Sequence, residues 1–303
     1  MCAPKTKLMF NDRAPEYKAR VERVMEEVIA TQNVQGRIGE AIKYAISTDG
    51  KRIRPLLVYA TAELLGVARQ IADYPATALE LVHIYALVHD DLPSMDDDDL
   101  RRGKPTVHKR FDEATGILVG DALLTFAFEL LSQSGADPSV VVEWVQILSN
   151  AAGAKGMVAG QSKDLEGQSS ILSLGELERM HRQKSGALIE ACLLTISNNA
   201  VSLQVENINH KAKRLKGFGH HIGLAFQICD DLLDVEGSTE RLGKPQGSDA
   251  INNKSTFVSI MGLEPARDRM HQELRSAKKQ LASFGSKAEG LNWIADYIVS
   301  RTY

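Results

Sequence analysis

Cysteine is scarce in this chain, and its scarcity excludes several classes of protein. Cys2, Cys192 and Cys229 are odd in number and far apart. They form neither a disulfide framework nor a CxxC metal site, which suits a reducing compartment. The 23 glycines and nine prolines are scattered and never gather into a linker. With no boundary in sight, a single domain over residues 1–303 is expected. A net charge of -3 gives no general affinity for nucleic acid or membrane. Met1 to Lys18 lacks the apolar core of a signal peptide, and Glu190 cuts the run Ala187 to Ile196. No apolar run approaches the roughly 18 residues of a spanning helix, so a cytoplasmic location is expected.

Strand-like alternation is also rare. Helical periodicity prevails, and about ten helices are expected. Pro15 to Ile29 sets Tyr17, Val21, Val24, Met25 and Val28 on one face, with Pro15 as a helix start. Ile38 to Ile46 repeats the pattern until Asp49-Gly50 stops it. Gly120 to Leu131 is apolar nearly all round, as a central helix is. Val140 to Val145 is the one strand-like run, but its flanks keep helical spacing through Trp144, Ile147 and Leu148. Gly156 to Asp164 carries small residues spaced for close helix contact. Further helices are expected over Leu174–Ile196, Gly217–Val235, Glu264–Phe284 and Leu291–Val299.

Charge is local, and the informative stretch runs from Leu81 to Thr106. Six aspartates fall between Asp90 and Asp99, followed by Arg101, Arg102 and Lys104, and an apolar run leads into them. A solvated acidic loop needs no apolar lead-in. A second cluster, Asp230, Asp231 and Asp234, ends another apolar helix, and both clusters precede a Gly-Lys-Pro loop. Asp230 and Asp234 lie about 40° apart around a helix and point the same way. Asp90 and Asp96 lie about 240° apart on a straight helix. They can share a metal only if the helix ends between them, for which Pro93 supplies a reason. Crowded carboxylates repel unless a cation intervenes, and Mg²⁺ is commonly shared between carboxylates and phosphate oxygens. A P-loop and an EF-hand spacing are both absent. Phosphate recognition therefore falls to scattered cations: Lys51, Arg52, Arg54, Arg101, Arg102, Lys184 and Lys244. Taken singly, each could be a surface charge. Their grouping in GKRIRP (Gly50 to Pro55) and directly after the aspartates argues otherwise.

DDLPSMDDDDLRRGKPT resembles the first aspartate-rich motif of bacterial short-chain trans-prenyl diphosphate synthases, and DDLLD resembles the second. GKRIRP, HRQKSGALI, LAFQICDDLLDV and LGKPQGSD match that family's other motifs in order, from Ile38 onward. The resemblance is nearest to the farnesyl members. It implies an all-α fold, a single large bundle of antiparallel helices around a deep central cavity, assembled as a homodimer. The implied reaction is Mg²⁺-dependent head-to-tail condensation of isopentenyl diphosphate with an allylic diphosphate. Farnesyl diphosphate is the main product expected; a geranyl or geranylgeranyl product, or a non-catalytic subunit, is the alternative.

Carried over by position, the resemblance makes Asp90, Asp91 and Asp96 ligands of two Mg²⁺ ions. Asp230 ligates a third, with Asp231 and Asp234 around it; Mn²⁺ is the alternative ion. Arg101, Lys184, Ser185, Gln227 and Lys244 are the expected contacts of the allylic diphosphate. Lys51, Arg54, His83 and Arg102 are those of isopentenyl diphosphate, although His83 is equally compatible with a core histidine. Tyr85 lies about 7.5 Å down the helix axis from Asp90. With small Ala86 beside it, Tyr85 is the expected floor of the product cavity. Ser185 stands where the family commonly has Thr, and Asn253 where Gly is common, which leaves Lys254 without an assigned role.

Overall fold

The computed structural model describes residues 9–167, 172–202, 204–237 and 254–300. The fold is all-α. The helices are α1 (Phe10–Thr31), α2 (Gly36–Ile46), α3 (Ile53–Leu65), α4 (Arg69–Asp90), the short α5 (Val107–Arg110), α6 (Glu113–Ser132) and α7 (Pro138–Ala152). They continue as α8 (Met157–Gly167), α9 (Leu174–His181), α10 (Ala187–Ser202), α11 (Ile208–Glu236), α12 (Phe257–Met261), α13 (Leu263–Leu281) and α14 (Glu289–Ser300). The strand-like run at Val140 lies inside α7, with Trp144 buried and its indole N–H donating to the Thr195 carbonyl at 2.7 Å.

Burial explains which helices are central. In α3 every residue but Glu63 is buried, and α4 buries most of its length from Ala72 to Val88. A helix apolar on all sides is stable only when enclosed. Accordingly α3 packs against α1, α4, α10 and α14, and α4 against α6. Gly120 of α6 leaves a notch for α4. The His89 ring fills it, its Nε2 lying 3.0 Å from the Ile117 carbonyl.

Three sequence expectations change. α1 begins at Phe10, so Pro15 sits inside the helix rather than at its start. The reason is tertiary: Phe10 is fully buried, its ring 5.5 Å from Trp293, and its N–H donates to Glu289 at 2.5 Å. These contacts hold the first turn although Pro15 can supply no helical N–H. The stretch Leu174–Ile196 is not one regular helix, because a π-helical turn at Arg182–Gly186 separates α9 from α10. Third, α6 is by length and composition apolar enough to cross a membrane, at mean hydropathy 1.6, although its buried side packs within the bundle.

After α4 the chain makes a two-stranded antiparallel ribbon, β1 (Leu100–Arg101) and β2 (Lys104–Pro105). Its two-residue turn, Arg102-Gly103, has positive φ at both positions, 54° and 75°, as a hairpin of the primed type needs. This turn directs Arg101 and Arg102 back toward the end of α4.

Candidate active site

One cavity of about 1150 Å³ opens between α3, α4, α8, the π-helical turn and α11. Fifteen of the candidate residues singled out from the sequence line it: Lys51, Arg52, Arg54, His83, Tyr85, Ala86, Asp90, Asp96, Arg101, Arg102, Lys184, Ser185, Gln227, Asp230 and Asp231. They come from segments as far apart as the α2–α3 loop and α11. Lys244 and its Gly-Lys-Pro loop lie outside the described residues.

The first aspartate cluster divides by position. α4 ends at Asp90, and the chain then folds back so that the Asp96 N–H donates to the Asp90 carbonyl at 2.9 Å. This turn brings both carboxylates to the same cavity. Asp91 is placed differently from the expectation. One residue is about 100° of helix, and Asp91 is buried away from the main cavity. There it accepts from Arg101 Nε at 2.9 Å and also from Arg101 Nη2. Asp98 holds the same guanidinium at 3.1 Å, while Asp99 pairs with Lys109 at the surface. Asp91 and Asp98 thus aim Arg101.

The second cluster divides likewise. Asp230 and Asp231 reach the cavity, but Asp231 also accepts the Phe257 N–H at 2.7 Å. Asp234 is buried and is not brought to the wall. Of the carboxylates expected at the metal, Asp90, Asp96, Asp230 and Asp231 therefore line the cavity, whereas Asp91 and Asp234 are buried beside it.

Electrostatics favours a cation there. Burial, reinforced by the negative charge of Asp96, raises the Asp90 carboxyl above its ordinary range, against the pull of Lys184, Arg101 and Lys254. Among the described residues, no three His, Cys, Asp or Glu side chains form a set able to hold a metal unaided. Separate carboxylates facing one cavity fit Mg²⁺, which completes its shell with water and phosphate oxygens. They do not fit a closed structural zinc site.

The cations separate into supports and candidate ligands. Arg52, an obvious member of GKRIRP, is buried and left-handed, with φ 49°. It donates to Glu80 at 3.0 Å, Glu22 at 3.2 Å and the carbonyls of Ile46 and Thr48 at 3.1 Å each. Arg52 thereby shapes the loop that sends Lys51 and Arg54 to the cavity. Arg102 lies over Gly50, where an added Cβ would come within 2.5 Å of its Nη1. Burial lowers His83 well below its ordinary value, and the nearby Arg54, Arg102, Arg52 and Arg101 push the same way. Lys51, Arg54, His83 and Arg102 thus line one wall of the cavity.

On the opposite wall the π-helical turn carries Lys184 and Ser185. A π-bulge turns side chains out of helical register and often marks a functional site. Ser185 Oγ donates to Gln227 Oε1 at 2.7 Å, tying the turn to α11. Tyr85 is buried in the α4 wall, edge-on to His89 at 5.8 Å. Burial, with the Asp90 charge, raises its phenol to about 12.

Sequence reasoning missed Gln161, Asp164 and His181 on this wall, and left Lys254 unassigned. His181 is buried against Phe257, their rings 5.7 Å apart, and burial lowers it to about 3. The available signal was the run GQSKD, in which Gly160 and Asp164 fall on one helix face.

The polyprenyl synthetase family model matches residues 35–289. Farnesyl diphosphate synthase of Geobacillus stearothermophilus is 40% identical over 291 residues, covering 95% of this chain and 96% of that protein. The Micrococcus luteus farnesyl diphosphate synthase is 45% identical over 269 residues, covering 88% and 90%. A crystal structure of geranyltransferase from Helicobacter pylori, complexed with magnesium and isoprenyl diphosphate, aligns with a TM-score of 0.80 at 30% identity. That alignment covers 99% of each chain.

Proposed function

Because the chain belongs to the polyprenyl synthetase family, we propose that it condenses isopentenyl diphosphate head-to-tail with dimethylallyl or geranyl diphosphate, giving mainly farnesyl diphosphate. The observation that carries this reading is one shared cavity. Carboxylates for metal, two groups of cations and an apolar wall all open into it.

Asp90, Asp96 and Asp230 would hold Mg²⁺, about three ions by the family resemblance; Mn²⁺ is the alternative ion. Bound metal supplies positive charge to the leaving diphosphate as its C–O bond ionises. Arg101, Lys184 and, by resemblance, Lys244 add fixed charge to that group. Ser185 and Gln227 set its orientation. Lys51, Arg54, His83 and Arg102 hold isopentenyl diphosphate, so that its double bond faces the allylic carbon. The apolar wall beyond Tyr85 excludes water from the allylic cation, which water would otherwise capture. Asp91 and Asp98 fix Arg101, and Asp231 and Asp234 support the end of α11.

Tyr85 closes the tunnel at a C15 chain. Geranylgeranyl synthesis is the second reading, which the small size of neighbouring Ala86 favours. We further propose a cytoplasmic homodimer that forms through α6, where Ile117 and Leu118 are 48% and 56% exposed beside an otherwise apolar helix. We also propose that the chain forms one domain, a reading supported by the continuous apolar core among the described residues.

The test is purified protein with Mg²⁺, labelled isopentenyl diphosphate and each allylic primer, with the products sized. A C15 product from both primers supports the reading. A C20 product moves the assignment to geranylgeranyl diphosphate synthesis.

A further inference from the structure

α8 forms one wall of the cavity, yet the chemistry above gives none of its residues a task. Two of them, Gly160 and Asp164, are one turn apart on the same face. A Cβ at Gly160 would lie 2.1 Å from the Lys184 backbone nitrogen and 2.5 Å from its Cα. Glycine therefore lets the π-helical turn rest directly on α8. One turn further on, Asp164 Oδ2 accepts from Lys184 Nζ at 2.6 Å. The same oxygen lies 3.8 Å from Lys254 Nζ, which donates to Asp96 Oδ1 at 2.8 Å. A chain of alternating charge thus runs Asp96, Lys254, Asp164, Lys184. Its side chains are shielded from solvent, at 15%, 13%, 10% and 22% exposure respectively.

We propose that Asp164 is a positioning residue that shares Lys254 with Asp96, and so controls how readily the first aspartate cluster takes up divalent metal. This rests on the reading of Asp96 as part of the metal site. An ammonium at hydrogen-bond distance from Asp96 competes directly with a cation for that carboxylate. Metal uptake requires Lys254 to leave. In a shielded wall, an ammonium that leaves one carboxylate without reaching another loses its counter-charge. Asp164 is a carboxylate within reach, and a shift of about 1 Å completes a charge-assisted hydrogen bond to it. The contact with Lys184 keeps the Asp164 oxygen pointed at both lysines. If α8 merely stiffened the fold, altering Asp164 would change stability but would not couple metal affinity to Lys254.

The experiment measures binding of Mn²⁺ alone to the full chain, from the electron paramagnetic resonance signal of the free ion, without diphosphate. Four variants are compared with the parent: D164N, D164E, K254M and D164N/K254M. D164N should weaken Mn²⁺ binding about tenfold, and D164E should restore most of it. K254M should bind at least as tightly as the parent, and adding D164N to K254M should cause no further loss. An equal loss from D164N in both backgrounds overturns the proposal, because Asp164 would then act on the metal without Lys254. No loss in D164N overturns it as well. If D164N does not fold, K254M alone decides, since weaker Mn²⁺ binding by that variant contradicts competition at Asp96. A parent that binds no Mn²⁺ rejects the metal reading of Asp96 and the proposal with it.

Discussion

Ser185 Oγ donates to Gln227 Oε1 at 2.7 Å, so the hydroxyl of the π-helical turn is fixed by the helix that carries the second aspartate cluster. In the proposed reading, one diphosphate contact is thereby oriented by the element that presents Asp230. Ser185→Ala should raise KM for the allylic diphosphate several-fold, consistent with loss of a hydrogen bond of about 1 kcal/mol. KM for isopentenyl diphosphate should stay near the parent value. Ser185→Thr, which keeps the hydroxyl, should behave like the parent. Steady-state kinetics with each substrate varied in turn checks both, and an equal rise in the two KM values contradicts the assignment.

In the proposed reading, Tyr85 sets the depth of the product cavity. Replacing it with alanine opens the α4 wall below Asp90, and the product should lengthen to C20 or beyond. Chromatographic sizing of labelled products reads this directly. An unchanged C15 product removes Tyr85 as the floor.

The loop that delivers Lys51 and Arg54 depends on a buried ion pair. Arg52 and Glu80 are each almost inaccessible, at 2% and 1% side-chain exposure, and lie 3.0 Å apart. Removing one member of such a pair strands the other, a loss of about 3–5 kcal/mol. Arg52→Ala should therefore lower unfolding stability by about that amount in urea titrations. Denaturation at the parent midpoint would contradict the structural role given to Arg52.

Much of the site was legible in the sequence because its chemistry needs particular residue types at fixed spacings. The aspartate clusters, GKRIRP and the Lys184-Ser185 pair could all be read that way, and each sends at least one side chain to the cavity. Relationships set by packing could not. Asp90 and Asp91 are neighbours in sequence, but helix rotation sends only Asp90 to the cavity. Arg52 resembled Lys51 and Arg54 in type, and only its left-handed backbone and its bond to Glu80 reveal a different task. Lys254 meets Asp96 across 158 residues, a pairing that no local pattern records. Pro15 misplaced the start of α1 because the burial of Phe10 outweighed a local signal. The π-helical turn interrupts a stretch whose periodicity looked regular.

His83 should make the fold sensitive to acid. Burial and the surrounding arginines place its folded-state pKa well below the ordinary value of 6.5. The stability gained by keeping it neutral is fully present above about pH 6.5 and is lost as pH falls toward the folded-state pKa. Between about pH 7.5 and 5.5 the loss should be about 1 kcal/mol. Urea unfolding at both values should show a smaller pH effect for His83→Gln than for the parent. Identical pH dependence in the two proteins contradicts this account.

The central claim is that Asp90, Asp96 and Asp230 act through metal on a diphosphate bound in one cavity. Its most direct measurement follows labelled isopentenyl diphosphate into product with geranyl diphosphate as primer, before and after EDTA and again after Mg²⁺ is restored. The account predicts a C15 product, its loss on chelation and its recovery with Mg²⁺. Turnover that persists in EDTA, or no incorporation under any of these conditions, would contradict it.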